Sequence, residues 1–297
     1  MALQPTKLPS LEPDFGAIRG ADGSHHRDDV SQNGRHTNSR LAHWCQKGYA
    51  SRPLALQAAR TVIIIRHIEG RRSERVAWLL EELGMPYELD FIQGDIVGSL
   101  LALEQHHEMR MTPIVHIDDV VMVESGAILE YLLSRFGKGS GLRPAEDDPA
   151  FPAYLQFLHF AEGTALAKIV ADVADNNMRK ALAKASVEAP PAMKLPGVAG
   201  SRSGSQRVMH YAENTLAQQP FFAGNAFTAA DIMMHFALKL GAPIAAGADF
   251  NVRAILSGEH DYLSGFPNVK GFMARMAERP AFQRAMQSTM PKGPPPM

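Results

Sequence analysis

The sequence predicts two unlike halves: an α/β half of β-α-β-α-β-β-α order, then an all-helical half. Three observations carry this. A β-branched run, "TVIIIRHI", leads into a helical pattern and a second short strand. Two apolar strands separated by "DD" follow, "PIVHI" and "VVMV", and run straight into "SGAILEYLLSRFG". From residue 150 onward, apolar residues recur almost entirely at helical spacing.

Each element follows in order. The run Thr61–Ile68 suits a strand buried on both faces. In "RRSERVAWLLEELG", Val76, Leu79, Leu80 and Leu83 fall on one helical face, and Gly84 then Pro86 mark the stop. "YELDFI" is the second strand, parallel to the first through a right-handed crossover. "SLLALEQHH" predicts a further helix, and the "DD" pair a hairpin turn. This order is that of a thioredoxin-like domain over 59–139. Pro113 opens its third strand, and the pattern admits either a cis Thr112-Pro113 bond or a trans proline at a strand's first residue.

The helical half is predicted over 148–290, as an all-α bundle. It begins with a long helical stretch after Pro152, in which Tyr154, Leu155, Leu158, Ala161 and Leu166 share a face. "SVEAPPAMKLPGVAGSRSGS" reads as a loop, "QRVMHYAENTLAQQ" as a helix. Thr228-x-x-Asp231 has capping-box spacing, and Pro280 divides the last two helices. Residues 1–58 are polar, glycine-dotted and aperiodic, which predicts a flexible leader or upstream extension; 291–297 form a tail. The leader's acidic residues argue against a transit peptide. Its His25, His26 and His36 are expected to be solvated and not metal ligands.

Composition narrows the function. The net charge of -1 gives no electrostatic reason for a nucleic-acid or anionic-membrane partner. The longest apolar run near the start falls far short of the roughly 20 residues a membrane span needs, so a cytoplasmic protein is expected. The single cysteine, Cys45, excludes an intramolecular disulfide, a CxxC redox pair and a cysteine-based zinc site.

Four stretches, in order, carry a family resemblance: "RRSERVAWLLEELGMPYE", "TPIVHIDDVVMVESGAILEYL", "YLQFLHFAEGTAL" and "FFAGNAFTAADIMM". Together they resemble the soluble glutathione S-transferases, in the bacterial and fungal branch whose first helix reads like "SRSxRVLWLLEELG". The resemblance spans 61 to about 290 and implies the glutathione transferase fold, a dimer and glutathione as cosubstrate. It implies a cis bond before Pro113, Thr112 pairing its backbone with the cysteinyl part of glutathione, and Glu124-Ser125 holding the γ-glutamyl end. A carboxylate can pair with that end's ammonium, while a serine at a helix N-terminus can hold its carboxylate.

Two departures matter. Where the branch places a thiol-activating Ser, this chain has Arg71, a permanent cation able to pair with a thiolate. Ser73, two residues on, is the second candidate. Before the proline, Arg110-Met111-Thr112 replaces the family's Gly-Lys-Ser or Gly-Lys-Val, so Arg110, with His106 or His107 upstream, is a candidate for the glycyl carboxylate. Tyr154, Phe157, Phe160, Ala161 and Thr164 are candidates to line the electrophile pocket, with most of them expected to be core and Met233 and Met234 behind them. The expected reaction is attack of the glutathione thiolate on a small hydrophobic electrophile, by substitution, addition or β-etherase-like aryl-ether cleavage. The alternative is a non-catalytic relative that binds glutathione or apolar ligands. No metal is expected.

Overall fold

In the computed structural model, the described residues are 61–187, 202–251 and 260–291. The leader with Cys45 and its histidines, most of the proline-rich loop and the tail beyond residue 291 lie outside them. Residues Ala58–Met297 form one unit.

A four-stranded sheet of order β2-β1-β3-β4 organises the first half. Strand β1 (Ile63–Arg66) pairs in parallel with β2 (Glu88–Asp90) and antiparallel with β3 (Ile114–Ile117), which pairs antiparallel with β4 (Val120–Met122). The β1 run does not have both faces buried as its composition suggests. Ile63 and Ile65 are buried while Ile64 and Arg66 are only partly so, because the two faces are covered unequally.

Helix α1 (Glu74–Leu83) ends at Gly84, whose left-handed φ of 63° lets its N–H reach the last carbonyls of the helix. Helix α2 (Ile96–Ala102) starts earlier than the apolar run suggests, because Asp95 caps it by accepting from Gly98 N–H at 2.8 Å. A short 3₁₀ turn continues it. The hairpin turn works because Asp118 adopts φ 53°, a conformation Asp tolerates better than most residues. Helix α3 (Ser125–Phe136) follows β4.

The helical half opens with α4 (Phe151–Phe160), passes without a break into a π-helical stretch at Ala161–Leu166, and continues as α5 (Ala167–Lys184). Helix α6 (Gly204–Leu216) is capped by a Ser203–Gln206 box. The Thr228–Asp231 box starts α7 (Ala229–Ala245), which is buried along most of its length. Helices α8 (Pro267–Ala277) and α9 (Pro280–Thr289) close the chain.

One apolar core runs through both halves, from Ile63, Ile65 and Val115 through Leu79 and Leu80 to Met233, Phe272 and Ala285. Polar latches reinforce the seam: Arg279 makes a two-pronged pair with Glu82 at 2.7 and 2.8 Å, and Arg284 pairs with Glu81 at 2.7 Å. Trp78 meets Phe282 edge-on at 4.8 Å between them. No described helix is long and apolar enough to cross a membrane.

Candidate active site

The N-terminus of α3 sits at a cavity of about 100 Å³ lined by Thr112, Pro113, Val123, Glu124, Ser125, Met109, Met111, Arg72 and Glu162. It lies between the strand ends of the first half and the π-helical stretch of the second.

Local chemistry builds one wall. The Thr112-Pro113 bond is cis. Thr112 anchors itself by donating its hydroxyl to the Arg66 carbonyl at 3.0 Å, and its own N–H and C=O make no hydrogen bond among the described residues. Glu124 caps α3 with φ 72° and ψ 108°, a backbone rarely adopted by a residue with a side chain. Its carboxylate has no ion-pair partner among the described residues. The first intrahelical bond of α3 runs from Ile128 N–H to the Glu124 carbonyl at 2.9 Å, so the preceding N–H groups remain free. Ser125 is 2% exposed and its Oγ has no partner among the described residues. A carboxylate, a buried hydroxyl and free helix-start amides therefore converge on one cavity, an arrangement suited to an α-amino acid group.

The opposite wall is charged. Arg72 Nε lies 3.1 Å from both Glu162 oxygens. Arg75, 1% exposed, pairs with Glu162 from behind and donates to the Met233 carbonyl at 2.8 Å. Burial lowers the Arg75 pKa and Glu162 opposes that shift. Next to it, the buried Glu74 pairs with Lys239.

The candidates from sequence are placed unevenly. Thr112, Pro113, Glu124, Ser125 and Met111 come together at the cavity. Arg71 is absent from its lining; it is partly buried, with its pKa lowered by burial first and by the neighbouring Arg72 charge second. Ser73 is fully buried and committed elsewhere, which removes it as a hydroxyl donor to a bound thiol. Its Oγ lies 2.7 Å from His67 Nδ1, and His67 Nε2 lies 2.8 Å from the Thr289 carbonyl. A carbonyl can only accept, so Nε2 carries the imidazole proton and Nδ1 accepts from the serine.

Arg110 points away into an exposed pair with Glu104, and His107 accepts from the Met109 N–H at 3.1 Å. None of the five pocket candidates lines this cavity. Tyr154 is fully buried and donates to Glu130, which keeps its pKa raised together with the larger effect of burial. Phe157 packs on Phe222 at 4.8 Å, Phe160 on Tyr211 at 5.3 Å, and Ala161 is fully buried. Thr164 is partly buried and lines no part of the cavity. Met233 and Met234 are core.

Sequence reasoning missed Arg72 and Glu162. A signal existed for the second: from Tyr154 to Leu166 it is the only acidic residue in a mostly apolar helical run. The π-helical stretch, a geometry frequent at functional sites, could not be read from the letters.

Comparisons with known proteins identify the family. The glutathione S-transferase N-terminal domain model matches residues 68–141, and the C-terminal domain model matches 197–280. Glutathione S-transferase 3 of Schizosaccharomyces pombe is 30% identical over 238 residues, covering 76% of this chain and 87% of its own length. A glutathione S-transferase from Actinobacillus pleuropneumoniae has a similar fold, with TM-score 0.53 at 22% identity, covering 77% of this chain and 92% of the other. A glutathione transferase homologue from Sulfitobacter, solved with bound glutathione, gives TM-score 0.55 at 18% identity over 77% of this chain and 99% of that one. The chain therefore belongs to the glutathione S-transferase family, the glutathione-dependent transferases that take glutathione as cosubstrate.

Proposed function

We propose that the cavity at the start of α3 holds glutathione and that the bound thiolate attacks a small hydrophobic electrophile. Glu124 pairs with the α-ammonium of the γ-glutamyl end, while Ser125 Oγ and the free α3 amides hold its α-carboxylate. The cysteinyl backbone pairs with the N–H and C=O of Thr112. The glycyl end runs toward Met109 and Met111, with His107 nearby; Arg110 reaches it only by leaving Glu104.

The observation that carries this reading is the buried, partnerless Ser125 hydroxyl beside an unpaired Glu124 at a helix N-terminus. A buried hydroxyl left without a partner costs about 1–3 kcal/mol, which a ligand carboxylate would recover.

The chemistry needs the thiolate, whereas a free thiol has a pKa of about 8.5. The thiol releases its proton to solvent, sulfur forms a bond to carbon, and in substitution or aryl-ether cleavage the leaving group departs with its electron pair. In an addition reaction, the π electrons of the activated double bond move onto its far carbon and the electron-withdrawing group there, and that carbon then takes up a proton from solvent. The charged wall formed by Arg72 and Glu162 favours electrophiles that carry a polar, electron-withdrawing group next to an apolar body. A cytoplasmic, dimeric enzyme is part of the same proposal.

Calorimetric titration with glutathione, followed by turnover with a halogenated nitroarene, an enone and a β-aryl ether, tests it. Binding plus turnover of at least one class is the expected result; absence of glutathione binding would overturn it.

A further inference from the structure

The wall opposite Ser125 carries more positive than negative charge. Two guanidinium groups, Arg72 and Arg75, share one carboxylate, Glu162. Glu74 does not balance the excess, because it is paired with Lys239. His235, buried nearby, is held neutral by burial first, then by the Lys239 and Arg75 charges. The ion pairs of this wall thus leave one guanidinium charge over, while Glu124 on the facing wall is taken by the ligand's ammonium, and of the two guanidinium groups only Arg72 lines the cavity.

The atoms show how that cation is presented. Nε of Arg72 is bonded to the two Glu162 oxygens. Its two terminal nitrogens make no hydrogen bond among the described residues. Glu162 is itself fixed from behind: Arg75 grips it with one terminal nitrogen and the Met233 carbonyl with the other, and the Arg75 guanidinium lies 4.7 Å over the Phe236 ring. This chain of contacts runs from α7 through α1 to the π-helical stretch, so Arg72 is aimed by residues from both halves of the protein. A guanidinium tethered through Nε and open at both terminal nitrogens is suited to an anion in front of it.

We propose that Arg72 is the catalytic cation that holds the glutathione thiolate in this enzyme and that Glu162 is its positioning residue. The proposal rests on the reading of the α3 cavity as the glutathione site. It replaces Arg71, the position at which the sequence alone suggests a cation.

The test follows thiolate absorbance across pH with glutathione bound to the intact protein, with glutathione affinity measured separately by calorimetry. In the wild type the bound thiol ionises below the free thiol. Arg72→Gln leaves glutathione bound with about tenfold less thiolate at pH 7, and Arg72→Lys restores part of it. Glu162→Gln also reduces the thiolate, and in that background Arg72→Gln has little further effect. Removing a negative charge would by itself increase thiolate, so a gain in Glu162→Gln overturns the positioning role. Unchanged thiolate in Arg72→Gln, or an unshifted thiol in the wild type, overturns the proposal while leaving the glutathione site intact. Failure of the wild type to bind glutathione overturns the site and the proposal together. If Glu162→Gln does not fold, the Arg72 variants decide the matter alone.

Discussion

Ser73 and His67 are joined by a buried hydrogen bond of 2.7 Å in which the serine donates to the imidazole. The pair sits behind the start of α1 and faces the protein interior. Ser73→Ala therefore leaves His67 Nδ1 buried without a donor and should cost about 1–3 kcal/mol of stability. The thiolate formed from bound glutathione should hardly change. Urea unfolding and thiolate titration on the same variant check both halves of this expectation; a large loss of thiolate would return Ser73 to the reaction.

Burial lowers the pKa of His67 from 6.5 to about 4. Below pH 6.5 the unfolded chain takes up a proton that the folded chain refuses. Stability from this group is complete above pH 6.5, declines as pH falls toward 4, and is flat below that. The interval corresponds to roughly 3 kcal/mol. His106 and His116, lowered by burial and by the Arg66 charge, add in the same direction. Chemical unfolding at pH 7 and pH 4.5 should show the loss, and His67→Gln should flatten part of the slope.

Glu124→Ala should weaken glutathione binding by about 2 kcal/mol or more, as expected when one partner of a desolvated charge pair is removed. Unchanged affinity by calorimetry would place the γ-glutamyl end elsewhere. Arg71→Ala, by contrast, should reduce thiolate less than Arg72→Gln does, since its side chain lies outside the cavity lining.

Asp231 holds three donors at the start of α7: Phe222 N–H and Thr228 N–H at 2.8 Å each, and the Thr228 hydroxyl at 3.1 Å. Burial pushes its carboxyl up to about 6, against the pull of the donors it accepts from. Asp231→Ala strands two buried amides and should cost about 2–4 kcal/mol. Thr228→Ala should cost about 1 kcal/mol, the usual worth of a cap. Thermal unfolding of both variants gives the order.

Tyr154→Phe removes a donor to Glu130, which still has Arg143 at 3.1 Å. A stability loss of about 1 kcal/mol is expected, with KM for any electrophile unaltered. A changed KM would bring the predicted aromatic pocket back into the reaction.

The elements legible in the sequence were those with local causes. Gly84 after Leu83, Pro152 and Pro280 at helix starts, and Thr228 with Asp231 each act within a few residues, and each stands where its chemistry implies. Glu124 and Ser125 at the start of α3 were legible for the same reason, since the switch from strand to helix is local. The Arg72–Glu162–Arg75 arrangement was not, because it depends on contacts 90 and 87 residues apart. Choosing Arg71 over Arg72 followed from alignment to a family motif, whereas the fold decides which of two adjacent arginines reaches the cavity. Among the aromatic candidates, Tyr154 and Phe157 are core, and their helical spacing alone does not distinguish a core from a pocket.

The link from His67 to the Thr289 carbonyl spans 222 residues. The stretch between β1 and α1 therefore takes one of its hydrogen-bond partners from α9, at the far end of the described helical half. The first half is thus not a portable module: cut away from α9, it would lose the partner of His67, the Arg279 and Arg284 latches and the ring against Trp78. A nascent or truncated chain would carry Glu124 and Ser125 in sequence yet lack the support behind α1.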